Sequence, residues 1–131
     1  DAPDRETCQV RRARTNTPLQ ALVLMNDVQF IEAARKFAER VITDGGPDVP
    51  QRVTFAFRSV LARQPTASEL GTLTKLYNDY YLEFKDSPEA AKKLLAAGEL
   101  TRNESLDVNE LGAWTMIVHL ILNLSETVTK G

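Results

Sequence analysis

The residues of this chain best suited to metal or redox chemistry are few: one histidine, His119, one cysteine, Cys8, and two methionines, Met25 and Met116. A zinc site needs three or four converging ligands, and a cysteine near one end with a histidine near the other supplies no ligand spacing. No Cys-x-x-Cys-His run is present for covalent haem attachment. A non-covalent haem held by His119 with Met25 or Met116 is the redox arrangement the composition allows. Against it stands the ordinary reading of a lone histidine in an apolar helix, a packed ring whose N–H finds a carbonyl. Ser59, Ser68, Ser87, Ser105 and Ser125 lack a Gly-x-Ser-x-Gly elbow, and Cys8 has arginines nearby but no local base. The pairs Glu83 with Asp86 and Asp44 with Asp48 fall at expected helix ends, where carboxylates cap and solubilise more often than they cleave glycosides. Tyr77, Tyr80, Tyr81 and Phe84 read either as an aromatic platform for a sugar or, at helical spacing, as a core edge. Asn103-Glu104-Ser105 and Asn123-Leu124-Ser125 match the glycosylation triplet, a match that recurs by chance. No catalytic residue, metal or cofactor is expected.

Partners are bounded by charge. A formal net charge of −2 gives no global pull toward nucleic acid or anionic lipid. The local excess of Arg5, Arg11, Arg12 and Arg14 has Asp1, Asp4 and Glu6 beside it and no aromatic to stack a base, so a solvated arm is expected rather than a nucleic-acid site. A single cysteine forbids an internal disulfide and leaves open a buried thiol or a bond to another part of a parent chain. No run approaches the ~20 apolar residues of a membrane span. The chain opens on Asp1 without a signal segment, so it reads as a piece of a longer chain or a processed product.

The most specific stretch carries no chemistry. Arg11, Arg12 and Arg14 lead into Thr17, a helix cap, and Pro18 suits the first helical position because its missing N–H would have no partner there. Leu19, Leu22, Val23, Leu24 and Met25 then make a short helix apolar almost all round, which must be covered on most of its surface. Asn16 and Gln20 flank the cap, and their amides suit tying down backbone. Arg11, Arg12, Arg14, Asn16, Leu19, Gln20, Leu22, Val23 and Met25 are therefore the candidate interface.

The run Arg-x-x-x-Thr-Asn-Thr-Pro-Leu-Gln-Ala-Leu-x-Leu-x-Asn-Asp, from Arg11 to Asp27, resembles the C-terminal part of a planctomycete domain of unknown function, number 1553 in its series. Ala56 to Leu70, with Val60-Leu61-Ala62-Arg63-Gln64-Pro65-Thr66 at its centre, and Ala113-Trp114 with Leu122 to Glu126 extend the resemblance over nearly the whole chain. The family pattern has glycine where Ala62 stands and an aromatic where Thr127 stands. Alanine at 62 leaves a left-handed helix stop there open, since it lacks the conformational freedom of glycine. The resemblance implies a large exported parent protein carrying a cytochrome c-like module upstream, hence a periplasmic or extracellular setting. It implies no catalytic residues.

The positioning elements are helical, since no segment alternates apolar and polar residues as a half-buried strand would. Val28, Ile31, Ala34, Ala38 and Val41 form one stripe, widened by Phe30, Phe37 and Ile42, with Glu32/Lys36 and Arg35/Glu39 as surface pairs, and Asp44-Gly45-Gly46-Pro47 ends it. A second helix from about Pro50 to Leu61 buries Val53, Phe57, Val60 and Leu61. Thr66-Ala67-Ser68-Glu69 has capping-box form before Leu70, Leu73, Leu76, Tyr77, Tyr80, Tyr81 and Phe84. Ser87-Pro88 opens a short helix that Gly98 closes, and a polar loop leads to Asp107-Val108-Asn109-Glu110, an acidic capping box. The last helix, to about Asn123, is apolar on both sides and belongs in the middle of a bundle.

These readings predict an all-α fold, a single orthogonal or bundled array of about five to six helices, with an arm over 1–16, a helical body over 17–124 and a tail over 125–131. The function expected is that of a non-catalytic helical interaction or scaffold module at the C-terminus of an exported multidomain protein. It would pack on upstream domains of its parent or on another protein, with self-association when alone. The alternatives are part of a polysaccharide-active enzyme, with Arg12, Arg14, Asn16 and Gln20 lining a pocket that upstream domains complete, and a haem-associated electron-transfer accessory module.

Overall fold

The computed structural model describes residues 28–96 and 101–130, with side chains over 31–96 and 101–125. Among them are five helices and no strand: α1 (Val28–Asp44), α2 (Val49–Leu61), α3 (Ala67–Asp86), α4 (Pro88–Leu95) and α5 (Val108–Lys130). They form a compact all-α bundle in which α5 touches each of the other four.

The expected stripe on α1 is buried at Ile31, Ala34, Ala38 and Val41. Arg35 departs from expectation: it is 1% exposed rather than a surface residue. It follows Ile31 by one turn, so its stem enters the core while its guanidinium lies 3.9 Å from Glu32 and 3.8 Å from Glu39. Lys36, predicted to pair with Glu32, lies 3.5 Å from Glu39 and donates to the Thr101 carbonyl at 3.3 Å. Glu39 also accepts from the Asn103 backbone N–H at 2.8 Å, which fastens the loop before α5 to α1.

Asp48 starts α2 with an extended backbone, its carboxylate accepting from the Gln51 N–H at 2.9 Å. Gly46 just before it has φ of +113°, a conformation side chains rarely adopt. At the far end Ala62 sits at φ 60°, ψ 26°, with its N–H donating to the Arg58 carbonyl. The left-handed stop is thus kept although alanine occupies it, at the steric cost that glycine would avoid.

The capping box of α3 is complete: the Glu69 N–H donates to Thr66 Oγ1 at 3.1 Å and the Thr66 N–H to Glu69 Oε1 at 2.9 Å. Ser87 does not cap α4 as predicted. Its ψ is 75°, against 169° at Asp48 and 166° at Thr66, and no side-chain cap bond forms. The reason is its double duty, since its N–H closes α3 on the carbonyls of Glu83 and Phe84. α4 ends at Ala96, whose N–H donates to Lys92 and Lys93 carbonyls. Gly98, expected to end it, lies outside the described residues.

The acidic box before α5 is half formed. Asp107 Oδ2 accepts from the Glu110 N–H at 2.9 Å, but the Glu110 carboxylate is drawn away to Arg52. α5 is buried at every position from Leu111 to His119 and continues to Lys130, past the end expected near Asn123. Trp114 is fully buried, and its ring stands 4.4 Å from that of Tyr77, centroid to centroid. Leu122, placed in the core by its spacing, is half-exposed. Gly112 lets α5 approach closely: a Cβ there would stand 3.2 Å from the Phe84 ring and 3.3 Å from Ala91 Cβ.

Candidate functional site

All nine candidate interface residues, Arg11, Arg12, Arg14, Asn16, Leu19, Gln20, Leu22, Val23 and Met25, lie outside the described residues, as does Cys8. The convergence of Arg12, Arg14, Asn16 and Gln20 on a pocket therefore has no geometry to report.

His119 and Met116 are both buried on α5. They stand three residues apart on one helix, so they project side by side and cannot approach one iron from opposite faces of a haem. Burial lowers the His119 pKa to about 4, which keeps the ring neutral near pH 7. Asn123 Nδ2 stands 3.3 Å from its Nδ1, as an amide donating to a neutral imidazole would. Among the described residues no group of three or more His, Cys, Asp or Glu side chains is arranged to hold a metal ion.

Two arginines work as ties between elements. Arg52 reaches from α2 to Glu110 of α5 at 2.6 Å and donates through Nε to the Gly46 carbonyl at 2.9 Å. Arg63 clasps both Glu69 oxygens at 3.0 Å each, its guanidinium 4.8 Å from the Phe57 ring centroid. That grip, outweighing partial burial, holds the Glu69 carboxyl below its usual range. Asp48, from the candidate carboxylate pair, is spent on its cap. Glu83 is raised, first by burial and then by neighbouring Asp79. Of the aromatic group, Tyr77, Tyr80 and Phe84 are buried and only Tyr81 is half-exposed, so these rings are core and not an open platform. Burial raises both the Tyr77 and the Tyr80 pKa, so their phenols stay protonated.

Sequence periodicity missed one surface. Phe55 falls between the stripe residues Val53 and Phe57 and points off the stripe, yet it is only half-exposed, because its ring stacks on Phe37 of α1 at 6.3 Å. The Arg40 guanidinium stands 5.9 Å from the Phe37 ring centroid. Next to Phe55, Arg58, Ser59 and Ala62 line an open depression of about 360 Å³. The one signal in the sequence was a phenylalanine out of phase with its own helix.

A family profile matches residues 1–77, that of PSD1, described as a protein of unknown function (DUF1553). The match takes in more than half of the chain, which belongs to this family. No curated protein and no solved structure matches it. None of the described helices is long and apolar enough to cross a membrane.

Proposed function

We propose that this chain is a non-catalytic helical interaction module of a larger protein, docking on the upstream part of its parent through the segment from Cys8 to Met25. One observation carries the reading: among the described residues, charged side chains hold elements of the fold together, Arg52 with Glu110, Arg63 with Glu69 and Glu39 with the loop at Asn103. A framework braced in this way suits the presentation of a surface. The basic arm and the apolar run of this segment supply the charged and apolar side chains that such docking uses. The exported setting and the cytochrome-bearing planctomycete parent belong to this proposal.

The test is binding in trans between residues 1–131 and the rest of the parent chain, followed by titration calorimetry. Arg12→Ala with Arg14→Ala should raise Kd by at least about ten-fold, some 1.4 kcal/mol, while far-ultraviolet circular dichroism stays unchanged. Unaltered binding overturns the docking role of the segment.

A further inference from the structure

The two Asn-x-Ser triplets of the chain take up different conformations. Asn103, Glu104 and Ser105 are all exposed, in the loop that leads into α5. The Ser105 backbone N–H donates to Asn103 Oδ1 at 3.0 Å, and the Ser105 hydroxyl donates to the same oxygen at 2.6 Å. A backbone N–H can only donate, so the atom facing it is the amide oxygen and Nδ2 is turned the other way. The Leu106 N–H closes the turn on the Asn103 carbonyl at 3.2 Å, and the Asn103 N–H is held by Glu39 at 2.8 Å. Among the described residues every polar group of Asn103 except Nδ2 thus has a partner.

Asn123 and Ser125 lie inside α5, which runs unbroken from Val108 to Lys130. Positions two apart on a helix stand about 200° from one another, so the Ser125 hydroxyl is turned away from the Asn123 amide. Asn123 Nδ2 stands instead 3.3 Å from Nδ1 of His119, one turn back.

We propose that Asn103 is an acceptor site for an N-linked glycan and that Asn123 is not. The triplet is the sequence requirement, met with Glu104 and not proline in the middle. Access is the second requirement, because a glycan is bulky and its acceptors sit on the surface. Nucleophilicity is the third. An amide nitrogen attacks poorly because its lone pair is shared with the carbonyl. Two hydrogen bonds on Oδ1 stabilise the negative charge that gathers there as Nδ2 gives up a proton. The co-reactant is an oligosaccharide carried on a lipid diphosphate and presented by a transferase. Nδ2 forms a bond to the anomeric carbon, and the bond from that carbon to the diphosphate oxygen breaks. The lipid diphosphate leaves, the Nδ2 proton passes to a base of the transferase, and nothing is oxidised or reduced. The site does not depend on the docking role proposed above, and it is testable without the parent protein.

The folded chain, residues 1–131, is incubated with an oligosaccharyltransferase and a lipid-diphosphate-linked oligosaccharide, and its peptides are weighed by mass spectrometry. A short Asn-x-Ser peptide in the same mixture reports that the transferase is active. One glycan is expected, on Asn103, added at least about ten-fold faster than on Asn123. Ser105→Ala should slow the addition at least about ten-fold and Ser105→Thr should keep it, with circular dichroism unchanged in both. Asn103→Gln should leave the folded chain without a glycan. Glu104→Leu gives both positions the triplet Asn-Leu-Ser, and the preference for Asn103 should persist, since conformation and not the middle residue sets it. A folded chain that takes no glycan on Asn103, equal rates at the two asparagines, or loss of the preference in Glu104→Leu overturns the proposal.

Discussion

Arg52 donates to Glu110 across 58 positions of sequence at 2.6 Å, and its Nε holds the Gly46 carbonyl at 2.9 Å, so one guanidinium joins the turn after α1, the body of α2 and the start of α5. Both side chains are less than a third exposed. Arg52→Ala should therefore cost about 1–3 kcal/mol in urea unfolding. Arg52→Lys should recover only part of this, because an ammonium cannot serve both acceptors with the same planar fork. Full recovery by lysine would show that charge alone matters.

Trp114 lies at the centre of the core against Tyr77, and its indole N–H has no hydrogen-bond partner among the described residues. Trp114→Ala should cost about 3–5 kcal/mol through lost burial and the cavity left behind. A loss under about 1 kcal/mol in denaturant unfolding would contradict the central position of α5.

Ala62 offers a gain. It occupies the left-handed region that glycine enters freely, so Ala62→Gly should raise stability by up to about 1 kcal/mol, less the added entropy of the unfolded chain. A lower midpoint in thermal unfolding would overturn the steric argument.

Thr66 caps α3 in a complete reciprocal box, and Thr66→Ala should cost about 0.5–2 kcal/mol. Thr66→Ser, which keeps the acceptor oxygen, should cost much less in the same unfolding assay.

Acid should destabilise the fold through His119. Its folded pKa is lowered to about 4 from 6.5, so the unfolded chain binds the proton more readily. The stabilisation is whole above pH 6.5 and is lost as pH falls toward about 4, with a slope of up to about 1.4 kcal/mol per pH unit. Glu69, held low chiefly by Arg63, loses its contribution as pH falls through its own depressed range. Urea unfolding from pH 7.5 to 4 should show the decline, and His119→Gln should flatten it. An unchanged slope in that variant would remove His119 as the cause.

Much of the fold could be read from the residues themselves. The stripe of α1, the Thr66–Glu69 box and the double-sided burial of α5 follow from local spacing, and the structure has them. Arg35 and Ser87 were misread because each answers to a second constraint, a core edge for one and the end of a preceding helix for the other. Glu110 was misread because Arg52 competes for its carboxylate from far along the chain, which no local rule registers. The Phe37–Phe55 face was hidden for the same reason, since it exists only once two helices lie side by side.

The order of the elements bears on how the protein is made. α5 follows the other four helices in sequence, yet it fills the space between them. During synthesis α1 to α4 leave the ribosome with apolar faces that have no common filler until the residues from Val108 onward emerge. Folding of these helices is thus withheld until α5 has emerged, and a ribosome that stalls before α5 releases a sticky intermediate, a substrate for chaperones or proteases.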